Sequence, residues 1–149
     1  MRAIVQRVKL AKVLINDKLH SAIEKGLLIF IGIENSDQEN DILYLSSKIC
    51  NLRIFADIND KLNLNINQIQ GDILVISQFT LFAEIKKGNR PSFLKSAQPE
   101  FAVKLYNQFI YEIERNIQKP CISGKFGANM QIELINDGPI TIIIDSKNK

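Results

Sequence analysis

Residues 27–33 read Leu-Leu-Ile-Phe-Ile-Gly-Ile, without one polar side chain. A half-exposed strand alternates apolar and polar residues, so an unbroken run of this length fits a strand covered on both faces. The sheet that contains it therefore needs packing partners. Gly32 interrupts the run, which is also far shorter than the ~20 apolar residues of a membrane helix, so no membrane partner is expected.

Two segments have the pattern of covering helices. Ser36, Asp37, Gln38 and Glu39 form a capping-box sequence, in which serine and glutamate each satisfy an orphan amide at a helix start. Ile42, Leu45, Ile49 and Leu52 then recur at spacings of 3, 4 and 3, one apolar stripe. Pro99 and Glu100 open a second helix, since proline loses no bond at the first helical position and glutamate suits the positive dipole end. Its apolar face is Phe101, Leu105 and Phe109 with Ala102, Tyr106, Ile110 and Ile113.

Most of the remaining chain is strand-like. Residues 2–9, 11–15 and 19–23 have β patterns, the last two separated by a turn at Asn16, Asp17 and Lys18. Short strands are expected at 53–56 and 62–66 around a turn at 57–61. Residues 72–82 are the strongest β run, and 130–135 and 140–144 read as two strands joined through Asp137, Gly138 and Pro139. Several strands with two amphipathic helices predict a mixed α/β domain with the helices on one side. No repeat, low-complexity stretch or linker divides residues 1–149, so one domain is expected.

Composition narrows the class without naming a function. A chain of 149 residues, 46% hydrophobic and 23% charged, can bury roughly two thirds of its unfolded surface. Cys50 and Cys121 are too few and too far apart for a disulfide framework or a zinc cluster, which reads as free structural thiols in a reducing cytoplasm. The first residues alternate, unlike a signal peptide. The net charge of +3 suits a polyanionic partner but decides nothing by itself.

The usual catalytic constellations are nearly absent. His20 is the sole histidine and has no cysteine or carboxylate cluster near it in sequence, so neither a metal nor a Ser/His/Asp relay is expected. There is no Gly-rich phosphate loop, and no cofactor is called for. An enzyme built from this chain must use hydroxyls, main-chain amides or groups of its own substrate.

Two segments break the pattern of the elements around them. At Ser77, Gln78, Phe79, Thr80 and Leu81, an apolar strand runs into three polar side chains. Polar groups there must be hydrogen-bonded or face a cleft, unless the strand simply reaches solvent. The second segment, Asn136, Asp137, Gly138, Pro139, Ile140 and Thr141, has the composition of a tight turn. A Gly-Pro peptide can also be cis, turning consecutive carbonyls to one side as a rigid acceptor pair.

Together these segments resemble the signatures of the D-aminoacyl-tRNA deacylase family, SQFTL and NxGP(V/I)T, and both are present without departure. Each alone is weak; their order, separation and the chain length make the pair specific. The resemblance covers essentially the whole chain, with further matches at residues 3–8 (AIVQRV), 62–65 (LNLN), 88–93 (GNRPSF) and 124–130 (GKFGANM). Where many relatives carry arginine this chain has Lys125, which keeps the charge and loses a bidentate donor.

The resemblance implies an α/β fold, a three-layer arrangement of mixed β-sheets with two main helices on one face. It implies a homodimer whose Gly-Pro loop, cis between Gly138 and Pro139, crosses the interface to complete the partner's pocket, with Arg7 holding that loop. Ser77, Gln78, Phe79 and Thr80 would floor the pocket, with Phe126 and Met130 on a wall near the terminal adenosine. The substrate would be aminoacylated tRNA. Thr80 could be a nucleophile, but the sequence offers no base for it, which favours main-chain amides at Phe79 and Thr80 with help from the RNA 2′-hydroxyl. Exclusion by the Gly138 and Pro139 carbonyls would reject L-aminoacyl groups and admit glycine. The basic residues Lys86, Lys87, Arg90 and Lys95 are candidates for tRNA contact, or an ordinary solvated loop. Without the resemblance, a non-catalytic RNA-binding module and a dimeric interaction domain also fit the residues.

Overall fold

The structure, a computed structural model, describes residues 1–86 and 88–148. Its elements in chain order are β1 (Arg2–Ile15), β2 (Lys18–Ile23), β3 (Gly26–Gly32), α1 (Glu39–Cys50), β4 (Phe55–Ala56), β5 (Leu62–Leu64) and β6 (Asp72–Ser77). A 3-10 turn (Phe79–Phe82), α2 (Pro99–Ile117), β7 (Ile122–Ser123) and β8 (Gln131–Asp145) follow.

Six strands form one mixed sheet around β1. The expected strands 2–9 and 11–15 are one continuous element whose halves serve different neighbours. Residues 2–8 pair with β3 and residues 11–15 with β2, while β8 runs antiparallel along the opposite edge. The β1–β2 hairpin closes at Asn16 and Asp17, both left-handed with φ of 52° and 59°, as a two-residue primed turn requires. β3 continues parallel into β6 and β6 into β7, and β4 and β5 form a separate small sheet.

The all-apolar run 27–33 is buried on both faces, as its composition predicts. Leu27, Ile29 and Ile31 pack toward the helices, with Ile42, Leu45 and Ile49 of α1 and Leu105, Phe109 and Ile113 of α2. Leu28 points the other way, onto Val13 of β1, Ile23 of β2 and Leu74 of β6, with Ile132 and Leu134 of β8 at the margin. The sheet thus curls so that its outer strands cover the face the helices leave open, giving helix, central-strand and outer-strand layers with both helices on one side.

Three local details differ from the sequence reading. The cap of α1 is Gln38, which exchanges hydrogen bonds with Asp41 in a capping box, and not Ser36 with Glu39. Asp37, beside Ser36, is committed elsewhere: its carboxylate binds the Met1 ammonium and the Glu34 amide. The β run 72–82 stops at Ser77. Residues 131–145 form one strand instead of two joined by a reversing turn.

Candidate active site

The chain leaves the sheet at Ser77 because its neighbour ends. β3 terminates at Gly32, and the last ladder bond runs from the Gln78 amide to the Ile31 carbonyl at 2.8 Å. Gly32 also makes room: a Cβ there would lie 2.9 Å from Leu81 Cβ and 3.1 Å from the Gln78 carbonyl oxygen. With no strand to pair against, residues Phe79–Phe82 close into a 3-10 turn. Ser77, Gln78 and Phe79 line a cleft of about 570 Å³ beside it.

Thr80 stands on the same turn but does not line the cleft. Its hydroxyl accepts a hydrogen bond from the Gln78 side-chain amide. Among the described residues no His, Asp, Glu or Lys side chain bonds it, so none of them is placed to remove its proton. The Phe79 and Thr80 amides donate to no acceptor among the described residues. Two adjacent unspent N–H groups, one of them on the cleft-lining Phe79, are the raw material of an oxyanion site. Phe79 is 56% exposed, and its ring meets that of Phe93 edge to face at 5.0 Å.

The opposite wall is apolar. Phe126 and Met130 line it, and both are half-buried. Tyr106 supports Phe126 at 5.6 Å between ring centroids, while its hydroxyl donates to the Val75 carbonyl at 2.9 Å. Burial pushes the Tyr106 phenol well above its ordinary value, so it is a fixed donor. Gly124 lies under Met130, whose sulfur would sit 2.7 Å from a Cβ at that position.

The Asn136–Thr141 segment is a bulge in β8. Gln6 of β1 pairs with Thr141 and Val8 pairs with Asn136, so four residues, 137 to 140, stand opposite Arg7 alone. Both halves of the strand keep one direction, which is why a composition suited to reversal reverses nothing. Asn136 braces the bulge from inside: its side chain accepts from the Ile140 amide at 2.9 Å and donates to the Thr141 hydroxyl at 2.9 Å. Arg7 braces it from β1, donating Nε to the Asp137 carbonyl at 3.0 Å and Nη1 to the Ile54 carbonyl at 2.6 Å. The Gly138-Pro139 peptide is cis. Neither residue, nor Arg7, lines the cleft of its own chain.

The basic residues are unequal. Lys86 and Arg90 are exposed, Lys87 lies outside the described residues, and Lys95 donates to the Glu84 carboxylate at 3.0 Å. That hydrogen bond, with the Lys86 amide, holds the Glu84 carboxyl below its ordinary value. Burial pushes the Cys50 and Cys121 thiols up to about 12, so neither is a nucleophile at neutral pH. Among the described residues no group of three His, Cys, Asp or Glu side chains could hold a metal ion, and no helix is long and apolar enough to cross a membrane.

Sequence reasoning missed one side of the cleft. Phe93, Ser96, Ala97, Gln98, Pro99 and Ala102 line it, yet residues 98–102 carry only helix-start signals and 93–97 read as loop. The available signal was the position of GNRPSF directly between the SQFTL segment and the second helix.

Residues 4–145 match the sequence profile of a family described as D-Tyr-tRNA(Tyr) deacylase. The whole chain is similar to a D-aminoacyl-tRNA deacylase of Flavobacterium psychrophilum, 54% identical and covering 99% of that protein, and to one of Parabacteroides distasonis at 52% with the same coverage. Among solved structures it is similar to the c-Myc DNA Unwinding Element Binding Protein, with a TM-score of 0.91 and 36% identity, covering 97% of this chain and 98% of that one. A second structure, described as "a probable eukaryotic D-amino acid tRNA deacylase", gives a TM-score of 0.83 at 17% identity over 96% of this chain and 97% of that one, a likeness of fold.

Proposed function

The chain belongs to the D-Tyr-tRNA(Tyr) deacylase family, and from that membership we propose how its residues act on a charged tRNA. It is a D-aminoacyl-tRNA deacylase, a hydrolase of the ester joining a D-aminoacyl group to tRNA. The observation that carries a residue-level reading is the pair of unspent amides, Phe79 and Thr80, on a turn whose Phe79 lines the cleft.

An aminoacyl ester is activated, so positioning and oxyanion stabilisation suffice where an amide would need more. The carbonyl oxygen of the ester takes the two amides, and water attacks with help from the 2′-hydroxyl of the terminal ribose. Ser77, Gln78 and Phe79 hold the ester, and the Phe126 and Met130 wall takes the terminal adenosine. Thr80 is not the nucleophile, which its engagement by Gln78 and lack of a base support.

Chirality is read by exclusion. Gly138 and Pro139 offer their carbonyls to the substrate ammonium, and a side chain of L configuration meets the bulge. Glycine has none and passes, so glycyl-tRNA is also cleaved. The bulge does not reach its own cleft, which supports donation to a second copy in a homodimer. The open outer edge of β8, with Ile135 and Ile143 exposed, suits such an interface. Residues 1–149 would form one deacylase domain, acting in the cytoplasm without cofactor, with Lys86, Lys87, Arg90 and Lys95 near the tRNA backbone.

Release of amino acid from D-tyrosyl-, L-tyrosyl- and glycyl-tRNA tests this directly. D-Tyrosine and glycine should be freed and L-tyrosine retained; appreciable L-tyrosine release would overturn exclusion by the bulge. A binding module would release nothing.

A further inference from the structure

The Ser77–Phe79 floor and the Thr80 amide beside it are touched by a residue from outside their own segment. Ser96 is 7% exposed, lines the same cleft, and donates its hydroxyl proton to the Phe79 carbonyl at 2.8 Å. We infer that Ser96 is a positioning residue for ester hydrolysis, a peg on the Phe79 carbonyl that fixes the direction of the Thr80 amide.

The link is covalent geometry. The Phe79 carbonyl and the Thr80 N–H are opposite ends of one planar peptide, so holding one end sets the other. The backbone bonds of the 3-10 turn, Leu81 to the Gln78 carbonyl at 3.3 Å and Ala83 to the Thr80 carbonyl at 3.0 Å, hold the carbonyls on either side of Phe79, and Ser96 adds a side-chain bond on the Phe79 carbonyl itself. Preorganised donors act only when they already point at the developing charge, and a tilted amide loses much of that effect.

Ser96 is itself a fixed point. Its residue forms an antiparallel bridge with Glu34, the next amide, Ala97, donates to the Ile33 carbonyl at 2.9 Å, and its own amide donates to the Phe93 carbonyl at 3.0 Å. The hydroxyl therefore reaches the turn from backbone already tied to the continuation of β3. Phe93 against Phe79 adds a second contact between the same segments. That contact is between rings and sets no peptide plane.

The inference rests on the reading of the Phe79 and Thr80 amides as the oxyanion site. Steady-state hydrolysis of D-tyrosyl-tRNA by the full chain, compared among wild type, Ser96→Ala and Ser96→Thr, tests it. Ser96→Ala should lower kcat by roughly tenfold with KM within about twofold and a thermal midpoint lowered by only a few degrees. Ser96→Thr, which keeps a hydroxyl at the same carbon, should restore most of kcat. Should Ser96→Ala fail to fold, Ser96→Cys, near in size with a weaker donor, carries the same comparison. A kcat within about twofold of wild type in the folded variant, or a raised KM at unchanged kcat, would overturn the role. Wild type that frees no D-tyrosine would instead remove the underlying reading.

Discussion

Arg7 and Asp137 meet twice: the guanidinium Nε donates to the Asp137 carbonyl at 3.0 Å and lies 3.2 Å from its carboxylate Oδ2. The Arg7 side chain is only 12% exposed, and its other arm reaches Ile54. Arg7→Ala should therefore strand two carbonyls and destabilise the chain by about 2 kcal/mol, with D-tyrosine release falling in parallel. Arg7→Lys should recover less than half, since a single ammonium cannot span both carbonyls. Urea midpoints of the two variants, set beside their deacylation rates, check this.

Gly32→Ala should act on the floor without altering any of its side chains. The added methyl would press on Leu81 and on the Gln78 carbonyl, and backbone must shift to admit it, a cost of about 1–3 kcal/mol. The expected result is a lower thermal midpoint and a kcat reduced more than the stability loss explains at the assay temperature. A variant with wild-type kcat would show that the turn tolerates displacement.

Thr80→Ala should leave most deacylation intact. The hydroxyl is bonded by Gln78 and, among the described residues, by no base, so its loss removes one exposed hydrogen bond and should change kcat by less than about tenfold. A nucleophile deletion would cost on the order of a thousandfold or more. Single-turnover release of D-tyrosine separates the two.

Among the basic residues, Lys86→Ala and Arg90→Ala should weaken tRNA binding more than Lys95→Ala. Lys95 is already held by Glu84, so contact with a phosphate requires it to leave a partner. Each phosphate contact removed should flatten the slope of log affinity against log salt by roughly 0.7–0.9. Filter binding at several salt concentrations measures this, and equal slopes for all three variants would count against it.

Acid should loosen the contact between α1 and the residues that follow β8, where Ser146 and Lys147 hold Asp41. Burial opposes ionisation of Asp41, but the Lys147 ammonium, the Ser146 hydroxyl and the Gln38 amide outweigh it and hold the carboxyl down from 3.8 to about 2. A depressed carboxylate contributes stability that is present above its unfolded value and lost as pH falls toward the folded one. Stability should thus decline between about pH 4 and pH 2, and Asp41→Asn should show a shallower decline across that window in denaturant titrations.

Much of this architecture is legible in the sequence because it is local. The stripe Ile42, Leu45, Ile49 and the Pro99 start specify helices by periodicity, and the run 27–33 announces burial on both sides. What escapes is set by partners far along the chain. β7 is two residues, Ile122 and Ser123, placed by parallel pairing with Leu74 and Val75 and by the Ser21 hydroxyl, which donates to the Ser123 carbonyl. Residues 78–82 have the composition of a strand, but β3 has ended and nothing remains to pair with them. Asn-Asp-Gly-Pro has turn chemistry, yet β1 extends on both sides of Arg7 and holds both halves of β8 in one line. The motif residues of the site are readable by resemblance; Phe93, Ser96 and Ala102 reach the cleft only through the fold.

One consequence concerns the making of the chain. A whole edge of β1 is covered by β8, and Arg2 finds its partner Asp145 across 143 positions of sequence. During synthesis that edge has no mate until β8 emerges, after β2, β3 and β6 are already present. An unpaired strand edge of this length invites pairing with other chains. Its terminal Arg2 and the lysines at positions 9 and 12 place positive charge along the waiting strand, so nascent copies meet through like-charged edges that repel.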